Sequence, residues 1–448
     1  MTGLTSGFGR SAIAIVAMAA VAVAILSAPA RAISIPAPIV FVGTDNNIYY
    51  CPVNCDRPRC ITCPPEKMQA QGSAGVREAA FSLTADEPEA VGYGWPAFSP
   101  DGGRIAYSST AYSKSGESFG AWVYDVSKAQ STEIFESKTE RAIYFFWLPD
   151  RQHLSFLLTE RDGLSLMLAE VRENAPIRIV TTGMPLYFDW RDGPGTVAIH
   201  TAVRDAEQTE QVSLLNLTPT SQQVAKVLSR GHTPFKTPCW SPDGKRLAYI
   251  ANYAAESNLV VADPDAQHPR SIVSLPVGEN SFEWSPDSRH IAYATSILPR
   301  EPVYRGIKLV DVADATTRRV TKDDVAAYFF SPDSRYLAYI ELPPDKPVQI
   351  WKLADLKTGQ IKELTSFLAT PEESIEYRYF DQFALSHAVW SPDSKAFVYA
   401  GLRVLQLPDR PLPSVPPPSV WVVPVDGSQP HQLGNGTLAF FSPAAAKK

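Results

Sequence analysis

Short apolar runs recur along the chain, each bounded by turn-forming residues. Ile105-Ala106-Tyr107, Leu247-Ala248-Tyr249, Ile291-Ala292-Tyr293 and Leu337-Ala338-Tyr339 share one pattern. Runs this short, broken by Pro, Gly, Asp and Ser, predict strands rather than helices. Ahead of each stands one phrase: Phe98-Ser99-Pro100-Asp101-Gly102, Trp240-Ser241-Pro242-Asp243-Gly244, Trp284-Ser285-Pro286-Asp287-Ser288 and Phe330-Ser331-Pro332-Asp333-Ser334. A fifth copy is Trp390-Ser391-Pro392-Asp393-Ser394, and two worn copies are Trp147-Leu148-Pro149-Asp150 and Trp190-Arg191-Asp192-Gly193. Pro presets φ, Asp bonds its own backbone and Gly tolerates positive φ, so each phrase predicts a tight turn between two strands. Third and fourth strands follow, as in Gln349-Ile350-Trp351-Lys352-Leu353 and Gln360-Ile361-Lys362-Glu363-Leu364-Thr365.

The Asp positions 101, 150, 192, 243, 287, 333 and 393 are spaced by 49, 42, 51, 44, 46 and 60 residues. A period in the forties with four strands per period predicts propeller blades. The repeat resembles that of TolB-type, WD-like propellers: an aromatic residue, Ser-Pro-Asp-Gly, then a Leu-Ala-Tyr-like strand. The resemblance implies an all-β fold and says little about activity.

The ends predict how the ring closes. Ile39-Val40-Phe41-Val42-Gly43, Asn47-Ile48-Tyr49-Tyr50 and Ala79-Ala80-Phe81-Ser82-Leu83-Thr84 read as second, third and fourth strands without a first. Leu438-Ala439-Phe440-Phe441 reads as a first strand with nothing after it. Pairing the two removes two open sheet edges. The expectation is an eight-bladed propeller of four-stranded antiparallel blades, or seven if one worn phrase is only a loop. Its composite blade joins 39–90 to 437–443, and the other repeats start near residues 95, 144, 187, 238, 282, 327 and 387.

Residues 1–32 read as a signal peptide: Arg10 precedes an apolar stretch from Ser11 to Leu26, and Ala30-Arg31-Ala32 supplies a small-x-small cleavage site. Residues 33–448 then form one domain, periplasmic or secreted, with membrane contact only if the leader is retained as an anchor. Without Arg10 and Arg31 the chain carries 39 basic and 47 acidic residues, a net of −8, which disfavours a nucleic-acid partner.

Cys51, Cys55, Cys60 and Cys63 fall within thirteen residues. The spacing could hold zinc. In an exported chain two disulfides are expected, and the nested pairs Cys51–Cys63 and Cys55–Cys60 suit a hairpin best. Cys239, beside a core Trp, is expected as a buried thiol.

No catalytic motif stands out: there is no G-x-S-x-G elbow, H-E-x-x-H helix or P-loop. No metal or cofactor is expected, and the recurring Asp residues belong to turns. Asp323-Asp324 reads as a solvated loop. Asp189, Glu283 and His387 are polar exceptions on otherwise aromatic innermost strands; their convergence on one cavity would favour a lyase or glycan hydrolase. A carbohydrate-binding propeller is a further alternative.

Long loops are where function is usually carried. Tyr377, Arg378, Tyr379, Phe380 and Phe383 in one, Arg410, Pro411 and Pro416 in a second, and Tyr304 with Arg305 in a third share one predicted face. Tyr, Arg and Phe supply much of the energy at protein interfaces. The sequence therefore predicts a monomeric, non-catalytic scaffold that binds an envelope protein or peptide there. TolB itself docks a peptidoglycan-associated lipoprotein, but the α/β domain that precedes its propeller has no counterpart between the leader and Ile39.

Overall fold

The computed structural model describes residues 35–55, 57–63, 88, 90–172, 175–202, 210–217, 223–231, 236–253, 256–276, 278–296, 303–405 and 415–444. The expected leader, the expected strand Ala79 to Thr84, Arg410 and Pro411 lie outside them. Among the described residues no helix is long and apolar enough to cross a membrane.

The five well-kept phrases form one turn, and the sequence explains each position. The Ser hydroxyl donates to the Asp two residues on, at 2.6 Å for Ser99, Ser241, Ser285 and Ser331 and 2.8 Å for Ser391. That same oxygen accepts the N–H that opens the next strand, Arg104, Arg246, His290, Tyr336 or Ala396, at 2.8–3.0 Å. Ser therefore closes the turn that Pro begins. The fifth residue has positive φ, +68° and +69° at Gly102 and Gly244 and +59° to +60° at Ser288, Ser334 and Ser394.

A left-handed Ser carries a backbone cost that Gly avoids, and here its hydroxyl has a use. Ser288, Ser334 and Ser394 each accept the N–H of the turn Asp one repeat earlier, Asp243, Asp287 and Asp333, at 3.0 Å. At Gly102 a Cβ would meet Ser442 Oγ, which would have to turn away to admit a side chain. The phrase Trp forms a second tie between neighbours. The indoles of Trp147, Trp284 and Trp390 donate to the Ala97, Cys239 and Phe329 carbonyls of the preceding innermost strand at 3.1–3.3 Å.

Four four-stranded antiparallel sheets stand alone, opened by Ala90–Phe98, Ala142–Trp147, Leu186–Trp190 and Cys239–Trp240. Both worn phrases thus open a full sheet. The remaining described strands form one thirteen-stranded run. Its continuity comes from long strands that serve two units. Thr317–Phe330 pairs first with Tyr304–Asp311 and then with Tyr336–Glu341. His431–Phe441 pairs with Ser419–Pro424 and then with Ile39–Gly43, in the register Ile39 to Phe441, Val40 to Phe440, Phe41 to Ala439 and Val42 to Leu438. The expected pairing of head and tail strands is therefore present. Asp323 and Asp324 lie within the strand Thr317–Phe330 rather than in a loop.

The disulfides correct the nested expectation. Cys51 bonds Cys55 and Cys60 bonds Cys63, with Cα atoms 5.7 Å apart in each pair. Strand register is the reason: Ile48–Cys51 pairs with Arg59–Cys60, placing Tyr49 opposite Cys60 and Tyr50 opposite Arg59. Thr62 Oγ1 already meets the Ile48 amide at 2.9 Å, so Cys63 lies past the level Cys51 could reach. Two local loops are closed instead. Cys239 is a free, buried thiol.

Candidate functional site

Between the strands Ile361–Ala369 and Ala396–Val404 the chain folds into two short helices, α1 (Pro371–Arg378) and α2 (Phe380–Phe383). Thr370 caps α1, its hydroxyl accepting the Glu373 N–H at 3.1 Å, with Pro371 in the first turn where its missing donor costs nothing. Thr370-Pro371-Glu372-Glu373 fits the Ser/Thr-x-x-Glu spacing of a helix start, the one signal for this helix in the sequence.

The insert lies on the axis of the sheets. Phe383 packs on Trp95, Tyr144 and His387 at 5.0–6.0 Å between ring centroids, and Phe380 on Tyr304, Tyr328 and Phe329 at 4.7–6.0 Å. Gln382 Oε1 accepts from Phe188 N at 2.9 Å and Thr237 Oγ1 at 3.2 Å, while Nε2 donates to the Phe188 carbonyl at 2.9 Å and Tyr144 Oη at 3.1 Å. Asp381 forms a buried ion pair with Lys236, 3.7 Å, and Lys236 also donates to Tyr304 Oη at 2.9 Å. The insert thus holds innermost strands from opposite sides of the axis.

This overturns the expected interface for four residues. Tyr304, Tyr377, Phe380 and Phe383 are 0–5% exposed: the aromatic run is core, because the insert turns it toward the axis. Arg305, Arg378 and Tyr379 are exposed and Pro416 is half-buried.

Beneath the insert lies a cavity of about 390 Å³. Its rim is made of turn prolines Pro242, Pro286, Pro332 and Pro392 with Pro443, and Asp381 and Leu385 of the insert segment border its inner end. Glu283 and His387 line it. Burial, with the Asp381 charge nearby, pushes the Glu283 carboxyl up to about 8, opposed by the N–H of Phe330. Burial pushes the His387 imidazole down to about 3, so it is neutral at pH 7. Glu283 Oε2 and His387 Nε2 are buried without a hydrogen-bond partner among the described residues. Asp189, the third polar exception, does not border this cavity; it accepts the Trp240 N–H at 2.9 Å, and burial lifts it to about 7. Asp381, Gln382 and Lys236 were not legible as site residues, since nothing local marks a loop polar group as axial.

No family model matches the chain. A stretch of 77 residues, 17% of the chain, is 34% identical to Dipeptidyl-peptidase 5 of Porphyromonas endodontalis and spans 11% of that protein. Among solved structures, TolB from Acinetobacter baumannii is 16% identical, with a TM-score of 0.39 over 72% of this chain and 78% of that one. Dihydro-heme d1 dehydrogenase NirN in complex with DHE is 13% identical, with a TM-score of 0.53 over 93% of this chain and 77% of that one. Each Ser-Pro-Asp phrase sits at a turn that opens an antiparallel four-strand unit. The fold is a β-propeller, built on a repeat that resembles the TolB-type one. Likeness at this level of identity speaks to the fold alone, and one fold can carry unrelated activities.

Proposed function

We propose that the chain is an exported, eight-bladed TolB-like propeller that acts as a non-catalytic scaffold for a protein or peptide of the cell envelope, received at the cavity mouth on the Ser-Pro-Asp face. The count of eight is supported by the four separate sheets together with a thirteen-stranded run long enough to hold four more units that share strands. The paired cysteines favour export to an oxidising compartment. The observation that carries the binding site is a proline-rimmed cavity with two unpartnered polar atoms in its lining. Convergent polar groups in an otherwise apolar pocket are the usual mark of a binding site. A photo-cross-linking residue at Asp287, on this face, should capture a partner from intact cells, and one at Tyr379, on the insert face, should not. The reverse pattern would return the interface to the long loops.

A second reading, a channel enzyme acting on a glycan, is favoured by one observation. Glu283 and His387 line one cavity and are pushed in opposite directions, an arrangement that assigns acid and base roles at neutral pH. Turnover of envelope polysaccharides that disappears in Glu283→Gln would establish it over the scaffold.

A further inference from the structure

We infer that the cavity receives a primary ammonium group, with the Glu283 carboxylate as counter-ion and His387 Nε2 as a second acceptor. This deepens the reading of the turn-face cavity as the binding end and rests on it. The charge balance is the first support. Asp189, Glu283 and Asp381 all act electrostatically on Cys239 at this end of the channel, and Lys236 is committed to Asp381 and Tyr304. Glu283 faces Asp381 from the insert and the neutral Tyr328 phenol from the next strand, with the Phe330 N–H as its backbone donor. Among the described residues it has no cation. A ligand bringing one positive charge supplies what the site lacks.

The imidazole is the second, independent support. Gln382 Nε2 donates to Tyr144 Oη, whose own proton goes to the Gln382 carbonyl at 2.9 Å. With that proton so placed, Ser386 Oγ donates to Tyr144 Oη at 2.5 Å in preference to the Phe383 carbonyl at 3.4 Å, and the serine oxygen then accepts from His387 Nδ1 at 2.7 Å. With its proton on Nδ1, His387 keeps a bare Nε2, an acceptor for an N–H. Buried acceptors without donors are costly unless a ligand satisfies them.

The exchange balances. The empty site holds Glu283 as the neutral acid at pH 7; the incoming ammonium keeps its three protons, the carboxyl releases one to solvent, and an ion pair replaces an O–H. For a side-chain amine, affinity should therefore rise roughly tenfold per pH unit from pH 6 to 8 and level off above it; for a chain-terminal amine, which loses its own proton near pH 8, it should pass through a maximum there.

Isothermal titration calorimetry of the mature chain at pH 7, in phosphate and in HEPES, would use three probes. Nα-acetyl-lysine amide offers a side-chain amine, alanyl-alanine amide a chain-terminal amine, and Nα,Nε-diacetyl-lysine amide neither. At least one amine probe should bind, release about one proton and bind at least roughly tenfold more tightly than the diacetyl probe; which one identifies the source of the ammonium. Glu283→Gln keeps the shape of the neutral acid and should fold, as its melting curve will show, while losing that preference and the proton release. Equal binding of the diacetyl probe, no binding by either amine, or an unchanged Glu283→Gln would overturn the assignment. If Asp287 cross-links a partner but no amine binds, only the ligand class fails. If an amine binds but Asp287 captures nothing, the protein-partner reading fails and the site holds a small amine.

Discussion

Gln382 pairs with both backbone groups of Phe188: Oε1 accepts its N–H and Nε2 donates to its carbonyl, each at 2.9 Å. The primary amide thereby imitates the edge of an adjoining strand, satisfying an innermost strand that has no neighbour on its axial side. A side chain does the work of a peptide bond.

Gln382→Ala removes those two bonds and the bonds to Tyr144 and Thr237 from a buried site. A loss of about 2–4 kcal/mol is expected, since unsatisfied buried groups cost about 1–3 kcal/mol each and relaxation recovers part. Urea unfolding of the variant measures it. A loss under about 1 kcal/mol would mean that aromatic packing alone seats the insert.

Stability should decline between pH 5 and pH 8. Burial raises Asp189 to about 7, Glu283 and Glu373 to about 8, and Glu376 well above its ordinary value. Unfolded carboxyls titrate near 4, so across this window the native chain holds protons that the unfolded chain has released, and rising pH favours unfolding. His200 and His387, lowered by burial to about 4 and about 3, act in the opposite sense from about pH 6.5 downward. Four acids outweigh two imidazoles. Calorimetry should give a higher Tm at pH 5 than at pH 8, and an equal or reversed order would contradict the burial of these acids.

Ser334 tests the ties between turns. Its φ is +59° and its hydroxyl accepts the Asp287 N–H at 3.0 Å. Ser334→Ala loses the bond and keeps the backbone cost; Ser334→Gly loses the bond and relieves that cost. The Ala variant should be less stable than the Gly variant by about 1 kcal/mol. If Ala equals or exceeds Gly, the left-handed geometry is not a constraint.

The cysteine pairing can be read by mass spectrometry without reduction. Cleavage by trypsin after Arg59 falls between the pairs Cys51–Cys55 and Cys60–Cys63, so each should appear in its own peptide. Nested pairs would hold the two peptides together.

The sheet-forming repeat was legible because its turn is written in one local phrase, and even the worn copies at Trp147 and Trp190 kept an aromatic residue and an Asp. The head-to-tail pairing of Ile39 with Phe441 followed from the missing strands at either end. The site was less legible. Tyr377, Phe380 and Phe383 carry the composition of an exposed binding loop, and only their placement on the axis makes them core. Composition cannot report which side of a ring a loop folds toward. The disulfides failed for a related reason, since their pairing depends on a register that spacing alone does not set.

Both ends of the helical insert are stitched into sheet, through Ile361–Ala369 before it and the Ala388 to Phe441 bridge after it. It cannot swing aside like a terminal arm, nor be shed by trimming. The cavity is accordingly bordered at its inner end by a segment anchored on both sides, so a ligand entering past the prolines meets Asp381 and Leu385 as fixed wall rather than as a movable lid.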